Sequence, residues 1–166
     1  VKAAIATMLE PLERGEGENP GLIYDEMRDM MQAKVGIIRT KEELEESLED
    51  LKAFRARADA CFPGTDRRYN SGWHQALDLI NMADISTVAA LAALTREESR
   101  GGHTRDDFPV PDDDHWGQHL NIVWMEDGEI KIRQERIEPI RHDLKDALDE
   151  VKAMIKERAE KQGDGK

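Results

Sequence analysis

The run Val88-Ala89-Ala90-Leu91-Ala92-Ala93-Leu94 constrains the fold of this chain more than any other feature. Coiled into a helix, it is apolar on nearly every side, and such a helix is stable only when neighbours cover it. Followed outward, the pattern predicts the longest helix of the chain, from about Gly72 to Glu97, with alanines that let partner helices approach closely. Two partners are legible upstream. Asn19-Pro20 pairs a capping side chain with a proline suited to the first helical position. Behind it Tyr24, Met27, Met31 and Val35 fall at helical spacing and predict an amphipathic helix from about Gly21 to Ala33. Thr40-Lys41-Glu42-Glu43 is a capping-box pattern, followed by Leu44, Leu48, Leu51 and Ala58 on one face and a stop before Pro63-Gly64.

Elsewhere the period changes. Val1 to about Leu12 reads as a short helix closed by the Glu/Gly segment Glu13–Glu18. Leu120–Trp124 and Glu129–Arg133 read as strands joined across Asp127-Gly128, a strong hairpin signal. Leu144, Leu148, Val151 and Ile155 predict a terminal amphipathic helix after Pro139, from about Asp143 to Glu160, and the tail from Lys161 to Lys166 is expected to fray. The expected fold class is therefore mainly α: a three-helix-type bundle with a small β-hairpin and a C-terminal helix. Its expected parts are a helical bundle over residues 1–99, a loop and hairpin over 100–142, and a helix with its tail over 143–166.

Composition removes several function classes. A net charge of −12 repels nucleic acid and anionic membrane, since phosphate contact needs basic patches. A single cysteine, Cys61, excludes an internal disulfide and a four-cysteine zinc or iron–sulfur site, and fits a reducing cytosol. No apolar run is expected to reach the length that spans a bilayer. Val1–Ile5 does not read as a signal peptide, and the missing initiator methionine points to a fragment or a processed chain.

Behind the long helix stands an unusual stretch, Arg96-Glu97-Glu98-Ser99-Arg100-Gly101-Gly102-His103-Thr104-Arg105-Asp106-Asp107-Phe108-Pro109. Arg100 and Arg105 are planar forks suited to carboxylates, and Gly101-Gly102 permits backbone conformations closed to other residues. One reading places these arginines around a dicarboxylate ligand, but the positive and negative residues here nearly balance. A salt-bridged loop of Glu98, Arg100, Arg105 and Asp106 that docks this region onto another domain is the better reading. His103, His115 and His119 with Asp112, Asp113 and Asp114 supply metal-binding residue types. Gly117 breaks the helical His115–His119 spacing, however, and Asp112 better suits the cap of a short turn. Ser99, His103 and Asp106 have the letters of a hydrolase triad without its nucleophile turn. Cys61 and His74 form no recognisable pair, and Met27, Met30 and Met31 read as core filling rather than a cofactor stripe. Trp73, Trp116 and Trp124 either cap the bundle or stand exposed where another domain sits. No Gly-x-Gly-x-x-Gly turn exists to cradle a dinucleotide pyrophosphate.

The stretch Glu98–Pro109 resembles the Glu-Ser-Arg-Gly-x-His-x-Arg-x-Asp-[Phe/Tyr]-Pro signature of succinate dehydrogenase and fumarate reductase flavoprotein subunits, with Asp112-Asp113-Asp114-His115-Trp116 following at the usual distance. Val35-Gly36-Ile37-Ile38-Arg39-Thr40 and Arg68–Leu79 resemble the family's segments before its two main helices. The resemblance runs from about Ile23 to Arg136 and implies the C-terminal helical region of such a subunit. L-aspartate oxidase and adenylylsulfate reductase flavoproteins share related regions. It further implies succinate–fumarate oxidoreduction with FAD held elsewhere in the full-length protein, so no cofactor, metal or catalytic residue is assigned to this chain. Glu98, Ser99, Arg100, Gly101, His103, Arg105 and Asp106 are the residues expected to dock it. The implied partners are the N-terminal flavin-binding domain of the same subunit and an iron–sulfur subunit, with no nucleic acid and no direct membrane insertion. The implied location is cytoplasmic, peripheral on the inner face of the membrane through partner subunits. A free-standing helical adaptor with a Trp face and a metal-dependent hydrolase using His103, His115 and His119 are the rivals.

Overall fold

A computed structural model describes the backbone of residues 1–163 and the side chains of residues 1–155. Its elements, in order, are α1 (Lys2–Glu13), α2 (Pro20–Lys34), β1 (Ile38–Arg39), α3 (Lys41–Ala60), α4 (Ser71–Thr95), β2 (Thr104–Arg105), a short 3-10 turn (Trp116–Gln118), β3 (His119–Glu126), β4 (Glu129–Arg136) and α5 (His142–Gly163). Residues up to Glu135 form one compact unit, and a second begins at Arg136. The fold class is the mainly α one that the patterning predicts.

Local chemistry sets the helix boundaries. The Asn19 side chain accepts from the Gly21 N–H at 2.7 Å and Pro20 opens α2. Thr40 accepts from the Glu43 N–H while Glu43 accepts from the Thr40 N–H at 3.0 Å, which completes the capping box of α3. Asn70, which the sequence reading passed over, caps α4 by accepting from the Trp73 N–H at 3.0 Å. α2, α3 and α4 pack on one another around Ile23, Met27, Leu44, Leu51, Leu79 and Ala83, all almost fully buried. Alanines 76, 83, 90 and 93 form the buried stripe of α4, which is why α3 can lie so close. α1 joins this bundle through α4, with the Trp73 indole N–H donating to the Met8 carbonyl at 2.7 Å.

One expectation needs correction. α4 is 25 residues long and contains a window of mean hydropathy 1.5, so by length and composition alone it could cross a membrane. It is not an uninterrupted apolar run, because Asn81, Asp84 and Ser86 break it without lowering the mean much. Packing against α2 and α3 buries one stripe of it, Ala76, Leu79, Ala83, Ala90 and Ala93.

The hairpin forms across Asp127-Gly128, where both residues take positive φ (53° and 82°), the pair of left-handed residues a tight two-residue turn requires. In the second unit, α5 exposes Leu144, Leu148, Val151 and Ile155 along one face. Its described backbone is helical through Gly163, three residues into the stretch expected to fray, where Lys161 and Gln162 are good helix formers. Asp164–Lys166 lie outside the described residues.

Candidate functional site at the loop after α4

α4 ends without a glycine cap, so its last carbonyls need other donors. Arg105 supplies them. Its Nη1 donates to the carbonyls of Ala93 (3.0 Å), Leu94 (3.0 Å) and Arg96 (3.3 Å). The guanidinium is 1% exposed and sits at the negative end of the helix dipole. Its other edge forks onto Asp107, with Nε–Oδ1 at 2.7 Å and Nη2–Oδ2 at 2.6 Å, and its plane covers the Phe108 ring at 5.0 Å. The Arg105 hydrogen bonds hold the Asp107 carboxyl below its usual range. Asn121 on β3 adds a donor to the Ala92 carbonyl at 3.0 Å. The segment that follows the helix is thus also its C-terminal cap.

Glu98 is the second centre. Its side chain is completely buried. It accepts from Arg96 Nε (2.8 Å), Arg100 Nε (2.9 Å), Arg100 Nη2 (3.0 Å) and the Asp112 N–H (2.8 Å). Burial alone would push its carboxyl up, and that is the largest single effect. The donors from Arg100, Asp112 and Arg96 together outweigh it and hold the pKa at about 2. Arg100 reaches on to Asp113 at 2.6 Å, and Arg96 lies over the buried Trp116 ring at 5.4 Å. Between the two centres, Gly101 turns the chain with φ +61°, and Arg100 and His103 pair their backbones at 2.8 and 3.0 Å. Ser99 Oγ accepts from the Arg105 N–H at 2.9 Å and lies 2.9 Å from the Phe108 carbonyl.

β1 and β2 form a short parallel ladder, with Ile38 opposite Thr104 and Arg39 opposite Arg105, and the Asp106 N–H donates to the Arg39 carbonyl at 3.0 Å. The ladder brings the Val35–Thr40 segment against the signature loop. Gly36 is required there, because a Cβ would stand 2.6 Å from the Gln32 carbonyl oxygen. Arg39 donates from Nε to the Gly36 carbonyl (2.6 Å) and from Nη1 to His103 Nδ1 (2.9 Å). Since a guanidinium only donates, Nδ1 must be the acceptor, and Nε2–H then faces the Arg96 carbonyl at 3.2 Å. Burial pushes the His103 pKa down, and the charges of Arg39, Arg105 and Arg96 push the same way against the Arg96 carbonyl bond. His103 is therefore a neutral structural connector.

Among the expected docking residues, Glu98, Ser99, Arg100, Gly101, His103 and Arg105 come together in this one loop. Asp106 does not join its ion pairs. Its side chain is exposed, and Arg105 pairs with Asp107, the neighbour placed on the inward side by the β2 backbone. Ser99, His103 and Asp106 share no hydrogen bond. His115 and His119 stack on each other at 4.6 Å, and no metal-ligating cluster occurs among the described residues. Asp112 caps the 3-10 turn by accepting from the His115 N–H at 2.9 Å. Trp116 is buried and Trp73 and Trp124 are half-buried, so none of the three forms an exposed face. Cys61 is buried, which raises its thiol pKa, and Met27 lies in the core. Sequence reasoning missed Asp107, the capping role of Arg105 and the part played by Arg39. The absence of a glycine just after α4, with an arginine-rich segment following, was the available signal for the cap.

A family model described as the fumarate reductase flavoprotein C-terminus matches residues 24–159, which takes in the bundle, the signature loop and the hairpin. The chain belongs to this family. Among its relatives, the succinate dehydrogenase flavoprotein subunit of Coxiella burnetii is 34% identical over 140 residues, covering 84% of this chain and 24% of the relative. The fumarate reductase flavoprotein subunit of Mycobacterium tuberculosis is 31% identical over 117 residues, covering 70% of this chain and 20% of the relative. In fold, the chain matches the Sdh1 complex of Mycobacterium smegmatis in its apo form with a TM-score of 0.75 and 38% identity, over 86% of this chain and 25% of that one. Adenylylsulfate reductase from Archaeoglobus fulgidus, at 17% identity and a TM-score of 0.63, shares the fold alone. As a member of the fumarate reductase flavoprotein C-terminal family, the chain spans about a quarter of the length of the relatives it matches.

Proposed function

We propose that this chain is the scaffold and docking domain of a succinate dehydrogenase or fumarate reductase flavoprotein subunit, and that the reaction is carried out on a flavin-binding domain it holds in place. One observation carries the reading. The loop after α4 consumes its own charges internally, yet the segment it clamps presents Ile37 and Ile38 at 73% and 60% exposure. A rigid apolar projection on a highly charged chain is what a protein interface core requires.

The residues present do not fit FAD. No Gly-x-Gly-x-x-Gly turn opens a helix, and the α2 N-terminus is occupied by its own Asn19 cap and Pro20. FAD belongs with the flavin-binding domain, which exchanges hydride with succinate or fumarate, and this chain alone is inactive. Electrons leave through an iron–sulfur subunit, and the assembly lies on the cytoplasmic face of the membrane through its partner subunits. Similarity to subunits of such complexes supports this arrangement.

Calorimetric titration of this chain into the separately prepared flavin-binding domain tests the proposal, with Arg100→Ala as the control. Saturable binding weakened by the substitution is the expected result. A folded, flavin-loaded partner that does not bind would remove the docking role and leave a free-standing adaptor.

A further inference from the structure

Six arginines are drawn at least partly into the described structure, and five of them hold a carboxylate. Arg14 pairs with Glu10, Arg55 with Asp84, Arg57 with Glu26, Arg96 with Glu98 and Arg105 with Asp107. Arg39 has none among the described residues: its partners are the Gly36 carbonyl and the neutral His103 ring. In a chain with 36 acidic residues against 24 basic ones, an arginine partly removed from water and left without an acid is an exception. Removing a charge from water without a counter-ion is costly, and burial is what lowers the Arg39 pKa. The guanidinium remains charged all the same, because its intrinsic pKa is so high.

The arrangement is also preorganised. Nε is fixed on Gly36 and Nη1 on His103, which in turn is held through its second nitrogen by the Arg96 carbonyl. The remaining donor edge, Nη2, has no hydrogen-bond partner among the described residues. It belongs to the residue next to Ile37 and Ile38, the exposed apolar pair of the β1 segment. A fixed cationic fork beside an apolar projection has the composition of an interface anchor.

We propose that Arg39 is the charged anchor of the docking surface and that it receives an aspartate or glutamate carboxylate from an apolar face of the flavin-binding domain. The inference rests on the docking role proposed above. It adds the residue that sets specificity and the chemistry of the group opposite it. The signature loop then acts behind the interface: Glu98 and Arg105 lock the loop, the loop holds His103, and His103 aims Arg39.

The test is titration of this chain and its Arg39 variants into the flavin-binding domain, whose folding is verified by its bound flavin spectrum. Arg39→Ala should weaken association at least about thirtyfold, the loss expected when one partner of a desolvated charge pair is truncated. Arg39→Lys should retain part of the affinity, because the charge stays while the fork is lost, and Arg39→Glu should abolish binding. Thermal unfolding of each variant alone separates interface loss from misfolding, and Arg39→Lys reads the anchor even where Arg39→Ala loosens the loop. If wild type binds and Arg39→Ala and Arg39→Glu bind within about twofold of it, the anchor is wrong and the docking role survives. If wild type does not bind, both fall together.

Discussion

Between α2, α3 and α4 the core is apolar, chiefly alanine and leucine with Ile23, Met27 and Phe54, and among the described residues Ser47 is its one buried polar side chain. In the loop after α4 the buried side chains are instead Glu98 and Arg105, each with several charge-assisted hydrogen bonds. The bundle tolerates small changes of geometry, because apolar burial is non-directional and scales with area. The loop does not, because a buried carboxylate missing one donor is strongly destabilised. The bundle therefore supplies stability, and the loop supplies one fixed shape behind the Val35–Thr40 segment it clamps.

Four substitutions or conditions separate these regions, beginning with the largest effect. Leu79→Ala, at a fully buried position of α4, should cost about 4 kcal/mol of global stability with little salt dependence, measured by urea unfolding. Glu98→Ala should cost about 3 kcal/mol, leaving Arg96 and Arg100 without their shared acceptor. Hydrogen exchange should place that loss in residues 96–113 and spare the interior of α3. Arg105→Lys should cost about 2 kcal/mol, since an ammonium cannot cap the α4 carbonyls and fork onto Asp107 at once. Fraying confined to the last turn of α4 is its signature, and an unchanged last turn would contradict the capping role.

The smallest effect is on pH dependence. His103 has a depressed pKa in the folded state, so its contribution is present above the ordinary value of 6.5 and declines as pH falls below it. Glu98 is likewise depressed, from 4.5 to about 2, so its contribution is present above 4.5 and is lost as pH falls through that interval. Stability should thus decline in two acid steps. His103→Gln, which can still accept from Arg39 and donate to the Arg96 carbonyl, should remove the first step only. A single step unchanged by the substitution would mean that His103 is not held neutral.

The bundle was legible in the sequence because each helix announces itself locally: Asn19-Pro20, the Thr40–Glu43 box, the apolar stretch ahead of Thr95, and Asp127-Gly128 for the hairpin. The signature loop was legible as a charge-balanced unit, but not its pairing. Asp106 and Asp107 are adjacent and chemically alike, and only the direction of the β2 backbone decides which meets Arg105. The β1–β2 ladder was invisible because it is two residues long and joins segments far apart in sequence, with no period to detect. The same long-range contact hid the placement of Arg39, which bonds His103 across it as well as its own neighbour Gly36.

The most direct test of the central claim is hydrogen exchange on this chain, free and bound to the flavin-binding domain. New protection is expected at residues 37–39 and across the exposed rim of residues 100–106, with the already protected interior of α3 and α4 unchanged. Protection appearing elsewhere, for example on the exposed face of α2, with residues 37–39 unaffected, would contradict it.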